Sequence, residues 1–346
     1  MNIDRDYYPV GKIPQADLIE LLNQSMPQPD PRVVFGPGLG RDAAVIDFGD
    51  RYLVTKTDPI TFATDEIGWY VVNVNANDIA CLAARPRWFI VTLLLPEHKT
   101  DRELVDTIFD QMRTACNDLE ISLVGGHTEI THAIDRPIAV GAMFGEVAPQ
   151  DLVRSDGAQP GDALILTKGI AVEGTAIIAR ELRDQLSNSI DPAMLARATN
   201  FLHDPGISVV RDAIVAAAAG DVHAMHDPTE GGIATGIREM THAAGFGARV
   251  DRRALNFYPE TVAICERLDL DPLGLIASGS LLIAAAPEDA DALKKSLREA
   301  GIEANVIGRV CEEPEVTLVD EAGEYQLPRF ERDEIARLFE RPSPDD

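Results

Sequence analysis

The run Gly36-Pro37-Gly38-Leu39-Gly40-Arg41-Asp42-Ala43-Ala44-Val45-Ile46-Asp47 carries a glycine-rich turn into a carboxylate and then into an apolar strand. Glycines let a backbone approach a bulky anion, and successive main-chain N–H groups form an anion nest. A carboxylate beside a phosphate repels it unless a cation lies between them. Asp42 at this place therefore points to a magnesium–nucleotide site. Taken alone, the stretch favours a tight turn feeding a strand, with Asp42 as its surface polar residue. The decision falls to the rest of the chain.

The chain has 346 residues, long enough for two domains of ordinary size. Apolar residues at 45% and charged residues at 25% give a normal globular balance. A net charge of −26 argues against nucleic-acid binding, because phosphate backbones would be repelled. No apolar run reaches the roughly 18 residues of a membrane span, and the first residues lack a signal-peptide layout, so a cytoplasmic protein is expected. Cys81, Cys116, Cys265 and Cys311 are widely spaced, which disfavours a zinc site or a disulfide framework.

Residues 1–31, rich in proline, read as a mobile lead-in arm carrying a short helix over 16–22. Strands follow over 43–48 and 51–56, and Thr57-Asp58 places a second carboxylate at a strand end. Apolar spacing predicts a helix over 65–84, interrupted by Asn73, Asn75, Asn77 and Asp78. A buried strand over 88–95, a helix over 101–119 and a short strand over 121–124 lead to Gly125-Gly126-His127-Thr128-Glu129, and a strand spans 137–147. This ββαβαββ order predicts an α+β domain over 1–150 with a sheet on one face and helices on the other. Residues 151–346 read as a C-terminal α/β domain, with residues 336–346 as a disordered tail. Its strand over 222–225 runs into His226-Asp227-Pro228-Thr229-Glu230-Gly231-Gly232 and a helix. Glu173, at a glycine-bounded helix start, is a candidate substrate-facing group.

Asp42, Asp58, Asp78 and Asp227 are thus carboxylates that only folding can gather, and hard oxygen ligands of this kind suit Mg²⁺ together with nucleotide phosphates. The ordered motifs resemble the aminoimidazole ribonucleotide synthetase superfamily of ATP-dependent enzymes. They are Gly-Arg-Asp-Ala-Ala-Val-Ile (40–46), Thr-Asp (57–58), Asn-Asp-Ile-Ala (77–80), Gly-Gly-His-Thr (125–128), Gly-Asp (161–162) and His-Asp-Pro-Thr-Glu-Gly-Gly (226–232). Gly11-Lys12-Ile13-Pro14, the Asp-Ala-Ala-Val-Ile block and the 226–232 motif are most similar to its hydrogenase-maturation branch, the HypE proteins. The resemblance implies an N-terminal domain that dimerises through its sheet, so a homodimer, with ATP in a cleft. It implies that Asp42, Asp58, Asp78 and Asp227 hold Mg²⁺, with Glu129 as a further carboxylate. It implies phosphate contacts from Gly38, Gly40, Thr57, Asn77, Gly125 and Gly126, and catalytic roles for Asp227 and His127.

Two departures bear on chemistry. His127 stands where many relatives carry Asp or Glu, although selenophosphate synthetases also have His there, and Glu129 could supply the carboxylate instead. HypE proteins end in a cysteine that is carbamoylated and then dehydrated with ATP; no cysteine follows Cys311 here, so that reaction is not expected on this tail. No P-loop, H-E-x-x-H or G-x-S-x-G motif is present. Two functions remain. One is an ATP- and Mg²⁺-dependent enzyme that phosphorylates an oxygen of an unidentified small-molecule or protein acceptor. The other is a nucleotide-binding assembly partner in metallocentre maturation without turnover.

Overall fold

A computed structural model describes residues 8, 13, 15–25, 30–38, 41–61 and 65–339. Most of the expected mobile arm, Gly40, and the tail from 340 lie outside these residues. Helix α1 spans Gln15–Ser25. The first sheet is built from β1 (Val33–Phe35), β2 (Ala44–Asp47), β3 (Tyr52–Ile60), β4 (Arg85–Pro96), β5 (Ser122–Thr131) and β6 (Ile138–Val147), in the order β1-β2-β3-β6-β4-β5. All neighbours are antiparallel except β4 and β5. Helices α2 (Ile67–Ala80) and α3 (Arg102–Asp118) complete this unit. Helix α3 is amphipathic: Ile108, Met112, Ala115 and Cys116 are buried at helical spacing, and the Asp101 side chain caps its start by accepting from Leu104 N–H.

Helix α2 is the pivot. Every residue from Ile67 to Ala80 except Trp69 is buried, so it is an interior helix rather than a surface one. It lies close on β6 because that strand turns Ala139, Gly141, Met143, Gly145 and Val147 toward it. A Cβ at Gly145 would fall 2.3 Å from Ile79 Cγ2, so the close approach needs glycine there. Asn73, Asn75, Asn77 and Asp78 are all buried, and their polar atoms must be satisfied inside.

The second sheet contains β7 (Ala163–Thr167), β8 (Val222–His226), β9 (Gly247–Asp251), β10 (Leu282–Ala285), β11 (Ala304–Cys311), β12 (Val316–Asp320) and β13 (Gly323–Gln326), in the order β13-β12-β9-β11-β7-β10-β8. Only the β12–β9 pairing is parallel. Helices α4 (Val172–Glu181), α5 (Arg183–Leu186), α6 (Pro192–Asn200), α7 (Val210–Ala219), α8 (Gly232–Ala243), α9 (Pro259–Leu268) and α10 (Ala290–Glu299) flank it. The alternation of β7 shows the layering: Ala163 and Ile165 enter the core shared with the first sheet, while Leu164 and Leu166 pack toward α8. The fold is therefore mixed α+β in two sheet-containing parts, as expected.

Three expectations change. The glycines 125 and 126 do not follow a strand but lie within β5, which runs to Thr131. Strands β9 and β13 had no counterpart in the sequence reading. Ala336–Phe339 forms a one-turn helix, α11, where disorder was expected, because Glu334 N–H donates to the Gly274 carbonyl and Arg337 pairs with Glu334.

Candidate active site

Strand and helix periods explain how the carboxylates meet. Lys56 and Asp58 stand two residues apart on β3 and so share a face. Asp78 and Cys81 stand three apart, at and just beyond the end of α2, and so share a side of the helix. Lys56 Nζ lies 3.4 Å from Asp58 Oδ2 and 3.2 Å from Asp78 Oδ2. Burial works against the Lys56 charge, but Asp78, Asp58 and Asp42 outweigh it and hold the ammonium protonated above its usual range.

The second part of the chain supplies the opposite wall. Asp227 follows β8, and Cys81 Sγ–H donates to its Oδ1 at 3.5 Å. His226 Nδ1 lies 3.0 Å from Asp42 Oδ2 and its Nε2 lies 3.1 Å from Glu239 Oε2 on α8. Burial opposes a charged ring, yet Asp42 and Glu239 raise the His226 pKa well above the ordinary value. The imidazolium thus donates at both nitrogens, which leaves it as a clamp on Asp42 rather than a proton-shuttling acid or base.

Burial and mutual repulsion dominate the carboxylates. Burial pushes the Asp78 carboxyl well up, with Asp227, Asp58 and Asp42 adding to it against Lys56. Burial, and then Asp42, carries Asp227 up to about 7 despite His226 and Lys56. Among the described residues Asp227 Oδ2 is buried with no hydrogen-bond partner, while the buried Asp78 Oδ2 meets only the Lys56 ammonium at 3.2 Å. An orphaned hard oxygen on Asp227 and carboxylates gathered beside it fit a divalent ion shared with phosphate oxygens. Among the described residues no three His, Cys, Asp or Glu side chains close on one point at metal-holding distance, so a cage made of protein alone is not formed.

The asparagines of α2 act as positioning groups. Asn75 accepts from Asp58 N–H at 2.8 Å and donates Nδ2–H to Asp58 O at 3.2 Å and Val71 O at 2.9 Å, which fixes the strand beneath the Asp58 carboxylate. Asn77 was expected at a phosphate. Its amide instead donates to Ile207 O and accepts from Val209 N–H, both at 2.8 Å, and so ties α2 to the start of α7. Thr57 Oγ1–H donates to Gly141 O at 2.6 Å, which commits that hydroxyl to the sheet.

Gly38 lies under Arg41, whose guanidinium stacks 4.3 Å from the Phe35 ring centroid and donates to Gly36 O. Gly125 has open space beside it, whereas a Cβ at Gly126 would fall 2.1 Å from Val91 O, so Gly126 has a packing reason of its own. His127 and Glu129 pair with each other at 2.9 Å on the exposed edge strand β5, and neither is among the charges that dominate the cluster. Within one chain the structure therefore gathers Asp42, Asp58, Asp78 and Asp227 and leaves His127 and Glu129 apart. Sequence reading missed Lys56, Cys81 and Glu239. The first stands just before Thr57-Asp58, and its period-two relation to Asp58 was the available signal.

Residues 40–147 match the model of the AIR synthase related protein N-terminal domain and residues 159–321 that of its C-terminal domain. The chain is 33% identical over 283 residues to the carbamoyl dehydratase HypE of Rhizobium leguminosarum bv. viciae, covering 78% of this chain and 77% of that protein. It is 27% identical over 329 residues to a putative hydrogenase expression/formation protein of Methanocaldococcus jannaschii, covering 92% and 94%. The solved structure of a hydrogenase maturation protein HypE in complex with ATP superposes with a TM-score of 0.70 at 26% identity, covering 87% of this chain and 92% of that one.

Proposed function

The chain belongs to the AIR synthase related family, and from that premise we propose that it is an ATP- and Mg²⁺-dependent enzyme that phosphorylates, and so activates, an oxygen of a small-molecule or protein acceptor. One observation carries the reading. Asp42, Asp58, Asp78 and Asp227, from four separate places in the chain, gather around Lys56, His226 and Cys81, and among the described residues Asp227 Oδ2 is buried with no hydrogen-bond partner. Buried carboxylates left this close repel one another, which is costly unless a cation with phosphate-bridging ability joins them.

Asp78 and Asp227 are the groups that would hold Mg²⁺, with Asp42 and Asp58 beside them. When bound, the ion would neutralise phosphate charge and bring the nucleotide against the carboxylates. The chain's own residues do the positioning. Asn75 sets Asp58, His226 sets Asp42, and Cys81 orients Asp227. Lys56 balances the cluster and is placed to meet a phosphate oxygen. Asn77 keeps the two parts of the chain in register, so that Asp227 stays opposite Asp78. Catalysis of this kind is mostly placement and charge neutralisation.

The same reading makes the active form a homodimer. Among the described residues strand β5 is an unpaired edge, and Trp88, Ile90, Leu123, Val124 and Ile130 are exposed on β4 and β5. A second copy covering them would bury that surface and bring His127 and Glu129 beside its neighbour. Trp88→Arg then converts the dimer to monomer in sedimentation. An unchanged mass would remove this part of the proposal.

Calorimetry with MgATP tests the central reading: saturable binding is expected, with slow ADP release that rises when the acceptor is present. No heat at millimolar nucleotide would sink it. That no three such side chains among the described residues close on one point favours one second reading, a nucleotide-binding assembly partner without turnover. Binding with no ADP release under any acceptor condition would select that role. Among the described residues no helix is long and apolar enough to cross a membrane.

A further inference from the structure

A separate cavity of about 450 Å³ opens in the second part of the chain, between the end of α6 and the start of α9. Arg197, Asn200 and Phe201 stand at helical spacing at and just beyond the end of α6, and so share one side of it. The chain then turns through Leu202–Gly206, which brings Asp204 to the same cavity. Tyr258 and Glu260 line it from the start of α9. None of these six residues belongs to the Lys56 cluster.

Two features give the cavity its chemistry. The first is an aromatic pair. The Phe201 and Tyr258 rings meet edge to face with centroids 4.9 Å apart. A Cβ at Gly169 would fall 2.5 Å from Tyr258 Cε2, so a neighbouring turn backs that ring closely. The second is an excess of carboxylate. Glu260 is 6% exposed, and Arg197 Nε donates to its Oε1 at 2.7 Å. Glu260 Oε2 takes no hydrogen bond from a described residue. The exposed Asp204 carboxylate forms neither a hydrogen bond nor an ion pair with one. Arg197 thus offsets one of the two negative charges and leaves the other uncompensated.

We propose that this cavity is a binding site for a small molecule bearing a guanidinium group. Its volume is that of a small-molecule site. A guanidinium is planar and cationic, so it stacks on an aromatic ring while its fork of N–H donors meets carboxylates. Asp204 supplies the counter-charge, Glu260 Oε2 accepts a further N–H, and the aromatic pair receives the flat face. An anion is disfavoured, because Arg197, the one basic residue lining the cavity among those described, is already committed to Glu260. The site shares no residue with the proposed phosphoryl-transfer centre and stands without it.

Calorimetry of the full chain in EDTA, without nucleotide, tests this with methylguanidinium and agmatine as probes. Saturable binding of at least one probe is expected, with a Kd of about 1 mM or tighter. Asp204→Asn, a change at an exposed position that leaves the core intact, is expected to weaken it about tenfold or more, as for loss of a charge-assisted hydrogen bond. Asp291→Asn removes an exposed acid on α10 and is expected to leave binding unchanged, which separates the cavity from the general attraction of a chain with net charge −26. No saturable binding of either probe in that range would overturn the proposal. So would equal affinity in the wild type and Asp204→Asn, or equal weakening in both variants. Methylammonium binding as tightly as methylguanidinium would reject the guanidinium assignment.

Discussion

His226 Nδ1 and Asp42 Oδ2 are 3.0 Å apart, although 184 positions separate the residues in the chain. The bond joins the carboxylate after the first glycine turn to the end of β8, and Glu239 holds the other side of the ring. It makes Asp42 a group whose orientation depends on the second part of the chain.

His226→Gln removes the buried cation between two carboxylates. The expected cost is about 3 kcal/mol of stability, as for breaking a buried ion pair, with a further fall in MgATP affinity. Urea unfolding and calorimetry measure the two effects. A variant as stable as the wild type would show that the clamp contributes nothing.

Asp78→Ala should lower ATP turnover by about a hundredfold or more while the chain stays folded, because one positioned charge at a phosphoryl-transfer site contributes on that scale. Wild-type turnover in this variant would remove Asp78 from the site.

Gly141 is opposite Asp58 in the β3–β6 register, and a Cβ there would fall 2.4 Å from Asn75 Nδ2. Gly141→Ala should push Asn75 off the Asp58 backbone and destabilise the fold by about 1–3 kcal/mol through overpacking. It should also weaken MgATP binding, since Asp58 loses its brace. Normal binding in a destabilised variant would separate packing from positioning.

Burial, opposed by the Ser278 hydrogen bond and reinforced by Asp333, Asp227 and Glu230, raises the Glu173 carboxyl from 4.5 to about 7. The folded state therefore binds this proton more tightly than the unfolded state does. The resulting stability is fully present below about pH 4.5 and is lost as pH rises through about 7. The shift of 7 − 4.5 corresponds to on the order of 3 kcal/mol at most. Glu173→Gln should lack this decline, so in EDTA it should gain on the wild type as pH rises across that window. Parallel pH profiles in urea unfolding would refute the assignment.

Much of the fold was legible because periodicity reports which side of an element is buried. Helix α3 and strand β6 lie within a residue of the positions read from sequence, and β4 begins three residues before its reading and ends one after it. Strand β5 was cut short at its glycines because Gly reads as a strand breaker; here the β4 backbone approaches so closely that Gly126 is required. Strands β9 and β13 escaped notice because each is only four or five residues long, and Gly247 and Gly323 at their starts read as turns.

Asp42, Asp58, Asp78 and Asp227 could be singled out from sequence, since each follows a turn, ends a strand or interrupts an apolar helix with an acid. Their local context and order determined that much. Which side chains stand between them was decided only by the tertiary structure. Lys56 enters through strand alternation, Cys81 through the helix period, and His226 and Glu239 through the docking of one part of the chain on the other. The same docking turned Asn77 from an expected phosphate contact into a brace between α2 and α7. The physical reason is range. Backbone propensity and periodicity act over a few residues and are written in the sequence directly. The distance between two buried charges is set by packing between elements far apart in the chain, and only the folded core determines it.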